Sequence, residues 1–159
     1  MAAPPLISVV IVTWNGRPFL EPCLEAVAAQ IGVTTETILV DNASTDGSAA
    51  FVRERFPWVR VIELPENRGF AGGNNAGVAA ARGEYVALLN NDTVADRDWL
   101  RCLWAGLDEA AGVALATSKI VYMHDPSIVD SAGDGMLRAG GAFKWHHGQP
   151  ASRAAVSRE

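Results

Sequence analysis

The chain's 159 residues suffice for one domain with a sizeable core and are too few for two comfortable ones. Thirteen Lys and Arg against eighteen Asp and Glu give a net charge of -5, which argues against broad electrostatic binding to nucleic acid or to an anionic membrane. The opening MAAPPLISVVIVTWNG lacks a basic segment and its apolar run is too short to span a bilayer, so nothing in it marks the chain for secretion.

The elements follow in chain order. Leu6 to Thr13 is a β-branched run with little polar alternation, the pattern of a parallel strand buried on both faces. Leu20, Cys23, Leu24, Val27 and Ala28 recur at helical spacing, with Pro18 suited to a first helical turn. Thr37 to Val40 predicts a second strand ending at Asp41, and NASTDGS then caps a helix over roughly 47–56. Val59 to Leu64 is a third strand, followed by PENRGFAGGNNAG and an alanine-rich helix that Gly83 is expected to end in a left-handed cap. Tyr85 to Leu89 is a fourth strand. Trp99, Leu100, Leu103 and Leu107 form a further amphipathic stripe, and Val113 to Thr117 reads as a fifth strand. Strands alternating with single helices predict an α/β fold, a mainly parallel sheet flanked by helices through right-handed crossovers. The expected division is an α/β domain over 1–121 and an irregular tail over 122–159, where no regular element is obvious.

Four strand ends carry polar residues: TWNG, DNASTDGS, ENRGFAGGNNAG and NNDT. Each alone is explained by a turn or a helix cap. Their coincidence on the carboxyl edge of one sheet points instead to a cleft for a polar, phosphate-bearing ligand. A dinucleotide fold would place its Gly-rich fingerprint after the first strand, where TWNGRPF stands. No Walker-type GKS or GKT occurs, so NTP hydrolysis is not indicated. A Mg²⁺ or Mn²⁺ ion explains NND, because such ions take one or two carboxylates together with substrate phosphates. Asp92 is the candidate ligand, Asp41 is assigned to the nucleotide base or ribose, and Arg68 offers a fork of donors to a phosphate.

Other polar and aromatic residues have plainer readings. Cys23 and Cys102 sit in apolar helical patterns without metal-ligand spacing and read as buried small hydrophobes, which fits a reducing compartment. His124, His146 and His147 read as surface residues, and Asp125, Asp130 and Asp134 as loop and turn residues. Trp58, Trp99 and Trp104 fit core or helix-face positions. Trp14 fits either a nucleoside contact or packing on the first helix.

Together SVVIVTWNGRPFLEPCLEAV, ILVDNASTDGS, ENRGFAGGNNAG and ALLNNDTV resemble the family-two inverting glycosyltransferases of the GT-A fold, a Rossmann-like nucleotide-diphospho-sugar transferase architecture, especially their rhamnosyltransferase-like branch. The resemblance covers about 7–94 well and extends more loosely to about 141. It implies that Thr13, Trp14, Asn15, Asp41 and Asn42 hold the nucleoside and that Asn67, Arg68, Gly69, Asn74 and Asn75 form a nucleotide-sugar loop. The family's Asp-x-Asp metal motif falls on Asn90, Asn91 and Asp92. Its first Asp is replaced, which leaves Asp92 for Mn²⁺ or Mg²⁺ and Asn90 for the ribose or a metal-bound water. The implied donor is a UDP- or dTDP-sugar, the acceptor a glycan or lipid-linked species, and the setting the cytoplasm, at the inner face of the membrane. The family's catalytic Asp lies in a second half that this stretch does not reach, since beyond Asp134 the only carboxylate side chain is Glu159. The chain alone is therefore expected to be inactive for transfer. The rivals are a non-catalytic sugar-nucleotide-binding module and a nucleotidyltransferase, though the latter wants a Gly-rich basic loop where TWNGRPF stands.

Overall fold

The computed structural model describes residues 7–107, 112–138 and 141–153; Leu6 and Glu159 lie outside them. The chain forms two compact units that divide between Arg101 and Cys102, against the expected division after residue 121.

The first unit alternates β1 (Ile7–Thr13), α1 (Arg17–Ala28), β2 (Thr35–Asp41), α2 (Ser48–Arg55), β3 (Arg60–Glu63), α3 (Gly69–Ala80) and β4 (Tyr85–Asn90), and α4 (Trp99–Gly106) begins in it. The four strands lie in the order β3-β2-β1-β4 and every pairing is parallel. β1 and β2 are central, which is why their Val and Ile runs show no polar alternation. Ile7, Val9 and Ile11 pack with Leu20, Cys23, Leu24 and Val27 of α1 and Val52 of α2 in one buried cluster. Val10, Ile38 and Val40 point to the opposite face, where Ala76 and Ala80 of α3 pack on them. Burial of each such Leu, Ile or Val contributes roughly 1.5–3 kcal/mol.

α3 lies low on the sheet because its inner positions are glycines. A Cβ at Gly73 would stand 2.6 Å from Val12 Cγ1, and one at Gly77 would overlap the Val10 side chain. The expected left-handed cap at Gly83 does not form; α3 ends at Ala81 in extended geometry, and Gly83 is absent from the positive-φ residues. Gly83 is needed for space instead, since a Cβ there would come within 2.6 Å of the Ser8 backbone nitrogen. In the loop between α1 and β2 the Gln30 side chain accepts from the Leu100 N–H at 2.9 Å and donates to the Asp96 carbonyl at 2.6 Å, fixing the start of α4.

Successive strands step outward from β1 to β2 to β3, and β4 then returns to the other side of β1. The chain's progress across the sheet thus reverses between β1 and β4, and open parallel sheets bind ligands at the carboxyl ends of strands near such a reversal. β4 alternates: Tyr85, Ala87 and Leu89 pack on the core, whereas Val86 and Leu88 are exposed.

In the second unit Val113 to Thr117 does not form the expected strand; Val113 makes a single bridge, residues 114–119 are irregular, and Leu115 is 90% exposed. The tail expected to be irregular instead holds two small antiparallel pairs, β5 (Ile120–Tyr122) with β6 (Asp125–Ser131) and β7 (Asp134–Met136) with β8 (Ala142–Lys144). Three of these strands have three residues each, too short to show a period. Gly135 sits beneath the Phe143 ring, so its alternation partner is invisible in the sequence. Asp130 accepts from Lys144 Nζ at 2.7 Å, and the Lys144 ammonium, hydrogen-bonded to it, holds its carboxyl below the usual range.

Candidate functional site

The carboxyl edge of the sheet brings most of the expected residues together. Thr13 ends β1 in register with Asp41 at the end of β2, and Asn90 ends β4 in register with Val12. Asp41, at the end of β2, and Asp92, in the turn after β4, thus stand on the same edge on either side of β1. Thr13, Asp41 and Asn42 are buried, whereas Asn90 and Asp92 are exposed.

Hydrogen bonds run along the edge from loop to loop. The Asn91 side chain donates to Thr13 Oγ1 at 2.9 Å, joining the β4 loop to β1. Asn15 adopts left-handed geometry with φ 52; its N–H donates to Ser44 Oγ at 2.9 Å and its Oδ1 accepts from the Thr45 N–H at 2.7 Å. Asp41 accepts from the Ser44 N–H at 2.8 Å, fixing the loop after β2. Asn42 donates from Nδ2 to Asn67 Oδ1 at 2.8 Å and to the Gly69 carbonyl at 3.0 Å, and accepts from the Arg68 N–H at 2.9 Å. Asn67 also accepts from the Gly69 N–H at 2.8 Å. Two residues of the expected sugar loop stand apart: Asn74 is buried and donates back to the Phe70 carbonyl at 2.9 Å, and Asn75 is exposed on α3.

A hollow of about 250 Å³ opens at these strand tips, lined by Val12, Trp14, Asn42, Asn67, Gly69 and Phe70. Trp14 is 59% exposed, so it faces this hollow rather than packing on α1. Phe70 is 67% exposed at the start of α3. Sequence reasoning passed over Phe70, for which the only signal is an aromatic residue set among glycines where no core position is due. A slightly larger hollow of about 290 Å³ lies around Arg17, Pro18, Glu21 and Phe51. It lacks the strand-tip groups, and size alone does not make a binding site.

Beside Asp92, the Asn90 carbonyl accepts from Thr93 Oγ1 at 2.6 Å and from Cys23 Sγ at 3.7 Å. Burial, with a smaller contribution from the Asp92 charge, pushes the Cys23 thiol up to about 12; it is a neutral group beneath the turn. Cys102, by contrast, is exposed, contrary to expectation, because it falls on the outer side of α4. Among the described residues no three His, Cys, Asp or Glu side chains gather to hold a metal ion. The exposed Asp92 carboxylate fits an ion that takes most of its oxygens from a bound diphosphate and water. Nor is any helix among the described residues long and apolar enough to cross a membrane.

Comparison with known proteins agrees with this geometry. Residues 8–147 match Glycosyl transferase family 2. The chain is 37% identical over 117 residues to the succinoglycan biosynthesis protein ExoO of Rhizobium meliloti (strain 1021), covering 73% of this chain and 33% of ExoO. The chain thus spans about a third of the length of that relative. Among solved structures, S. aureus TarS 1-349 aligns with a TM-score of 0.58 at 27% identity, covering 65% of this chain and 32% of TarS. The mannosyltransferase PcManGT of Pyrobaculum calidifontis, in complex with GDP-Man and Mn²⁺, aligns with a TM-score of 0.55 at 31% identity, covering 62% of this chain and 34% of that one. The parallel sheet flanked by helices is that of the GT-A glycosyltransferases. With the strand-tip cleft and the family match extending over 8–147, this chain belongs to glycosyl transferase family 2.

Proposed function

We propose that this chain is the donor-binding part of a metal-dependent, inverting glycosyltransferase of the rhamnosyltransferase-like branch, acting on a UDP- or dTDP-sugar. The observation that carries this reading is the strand-tip hollow, with Trp14, Asn42 and Asn67 in its wall and Asp92 on the same edge across β1. Trp14 offers an aromatic face to the base, and Asp41 and Thr13 shape the nucleoside end with Asn15 and Asn42. Arg68 and Gly69 stand beside the diphosphate, with Asn74 and Asn75 further along α3. Asn90 contacts the ribose or a metal-bound water. Asp92 holds Mn²⁺ or Mg²⁺, which when bound neutralises the departing diphosphate; the Mn²⁺ and GDP-Man in the PcManGT structure support a divalent ion with a nucleotide sugar. Transfer to a glycan or lipid-linked acceptor belongs to the whole protein, at the cytoplasmic face of the membrane. Its general base is expected outside this stretch, so that the chain by itself binds donor without transferring. Family membership favours this reading over a nucleotidyltransferase.

The test is calorimetric titration with UDP-, dTDP- and GDP-sugars, with and without Mn²⁺. Asp92→Ala is expected to weaken Mn²⁺-dependent binding by about 10-fold or more, the loss of a charge-assisted contact, and to leave metal-free binding unchanged. Equal heats for wild type and Asp92→Ala would remove Asp92 from the site. A non-catalytic sugar-nucleotide module would bind alike but show no turnover in a longer form of the protein.

A further inference from the structure

We infer that Asn91 is a positioning residue: its amide latches the β4 loop to the buried hydroxyl of Thr13, in a slot left open by Gly16, and thereby sets where Asp92 stands. The inference rests on the donor-site reading of Asp92. Register places it first. Val12 pairs with Asn90, the last residue of β4, so the residue that follows each, Thr13 at the end of β1 and Asn91 in the turn after β4, falls on the opposite face, toward α1. There Asn91 Nδ2 donates to Thr13 Oγ1 at 2.9 Å. Thr13 is 1% exposed, and its carbonyl accepts from the Asn42 N–H at 2.8 Å; the latch is therefore anchored to the centre of the sheet.

Gly16 completes the slot. Its φ of -107 is open to any residue, so its backbone does not demand glycine. Space does: a Cβ there would overlap the Asn91 amide and come within 2.6 Å of Thr13 Oγ1. On the other side of Asp92, Thr93 donates to the Asn90 carbonyl through Oγ1 at 2.6 Å and N–H at 3.3 Å. Asp92 is thus pinned by the residues before and after it while its own carboxylate remains exposed. An amide wedged under Gly16 acts on a bound cation through the turn rather than by touching the nucleotide.

The experiment measures UDP and GDP affinity by titration calorimetry in Mn²⁺ and in EDTA for wild type, Thr13→Val, Thr13→Ser, Asn91→Ala, Gly16→Ala and the Thr13→Val/Asn91→Ala and Gly16→Ala/Asn91→Ala doubles. Thr13→Val and Asn91→Ala are each expected to lose about 10-fold in the Mn²⁺-dependent affinity, of the order of one well-placed hydrogen bond, and the double no more than either. Thr13→Ser retains wild-type affinity. Gly16→Ala matches Asn91→Ala, and their double is no worse. The ratio of affinity in Mn²⁺ to affinity in EDTA is expected to fall about 10-fold in both single variants, whereas general destabilisation or a lost nucleoside contact would lower both affinities alike. Loss in Asn91→Ala with none in Thr13→Val would make Asn91 a direct ligand contact and overturn the latch, as would no loss in either. If wild type binds neither nucleotide in Mn²⁺, the donor-site reading fails by itself. The latch is then decided by amide hydrogen exchange at Asp92 and Thr93, which both single variants should accelerate; unchanged exchange overturns it.

Discussion

Both hydrogens and the oxygen of the Asn42 side-chain amide are engaged, with Asn67, Gly69 and Arg68. Such a group holds the β3–α3 loop in place and presents little of itself to a ligand. Its neighbours differ: Trp14 keeps its ring free, and Asp92 its carboxylate. Cys23 shows the same division between framework and exposed groups. It is fully buried, and its thiol is pushed up to about 12, first by burial and then by Asp92. Iodoacetamide should therefore label Cys102 rapidly and Cys23 only on unfolding, a difference read by peptide mass spectrometry; rapid labelling of Cys23 in the native chain would contradict its burial. The thiol also carries a pH signature. Above its ordinary value of 9.0 the unfolded chain releases this proton while the folded chain keeps it until about 12. Its stabilisation is full below pH 9.0 and is lost as pH rises toward 12.

Two helix starts share one carboxylate. The residues before α1 and α2, Gly16 and Gly47, carry no side chain to cap them. Asp46 supplies the missing acceptor for both, taking the Arg17 N–H of α1 at 3.0 Å and the Ser48 N–H and Oγ of α2 at 3.0 and 2.6 Å. Partial burial raises its pKa, but the hydrogen bonds from Ser48 and Arg17 outweigh that and lower it overall. Asp46→Ala should cost about 1–2 kcal/mol in urea denaturation near neutral pH, the usual range for a lost cap. The gap from wild type should close as pH falls below the ordinary 3.8, because the folded carboxylate's advantage exists above that value and disappears once it protonates. A gap that persists in acid would assign the loss to packing instead. The elements of the first unit were legible because β-branched runs and helical spacing of Leu20, Cys23, Leu24 and Val27 report burial directly. The strand-tip residues were legible as a group, through four polar loops on one edge. What each does was not, since the partners of Asn91 and Asn42 lie 78 and 25 residues away. Gly83 misled for the same reason: the Ser8 backbone that it accommodates is remote in sequence.

At the scale of the molecule, the strand order separates near from far. The Asn42–Asn67 and Asn15–Ser44 hydrogen bonds join residues 25 and 29 apart, whereas the Thr13–Asn91 bond spans 78. Closing a longer loop costs more chain entropy before any contact repays it. The β1-β2-β3 portion is therefore expected to assemble first, with β4 added to a sheet already formed. Leu89→Ala, which trims a β4 side chain packed on the core, should speed unfolding in stopped-flow measurements and leave the refolding rate nearly unchanged. Slower refolding of matching size would place β4 in the folding nucleus instead. On the proposed reading, a chain arrested before that last step would hold the Trp14 side of the hollow without Asp92, so recognition of a cation-bridged diphosphate would mature only when β4 zips onto β1.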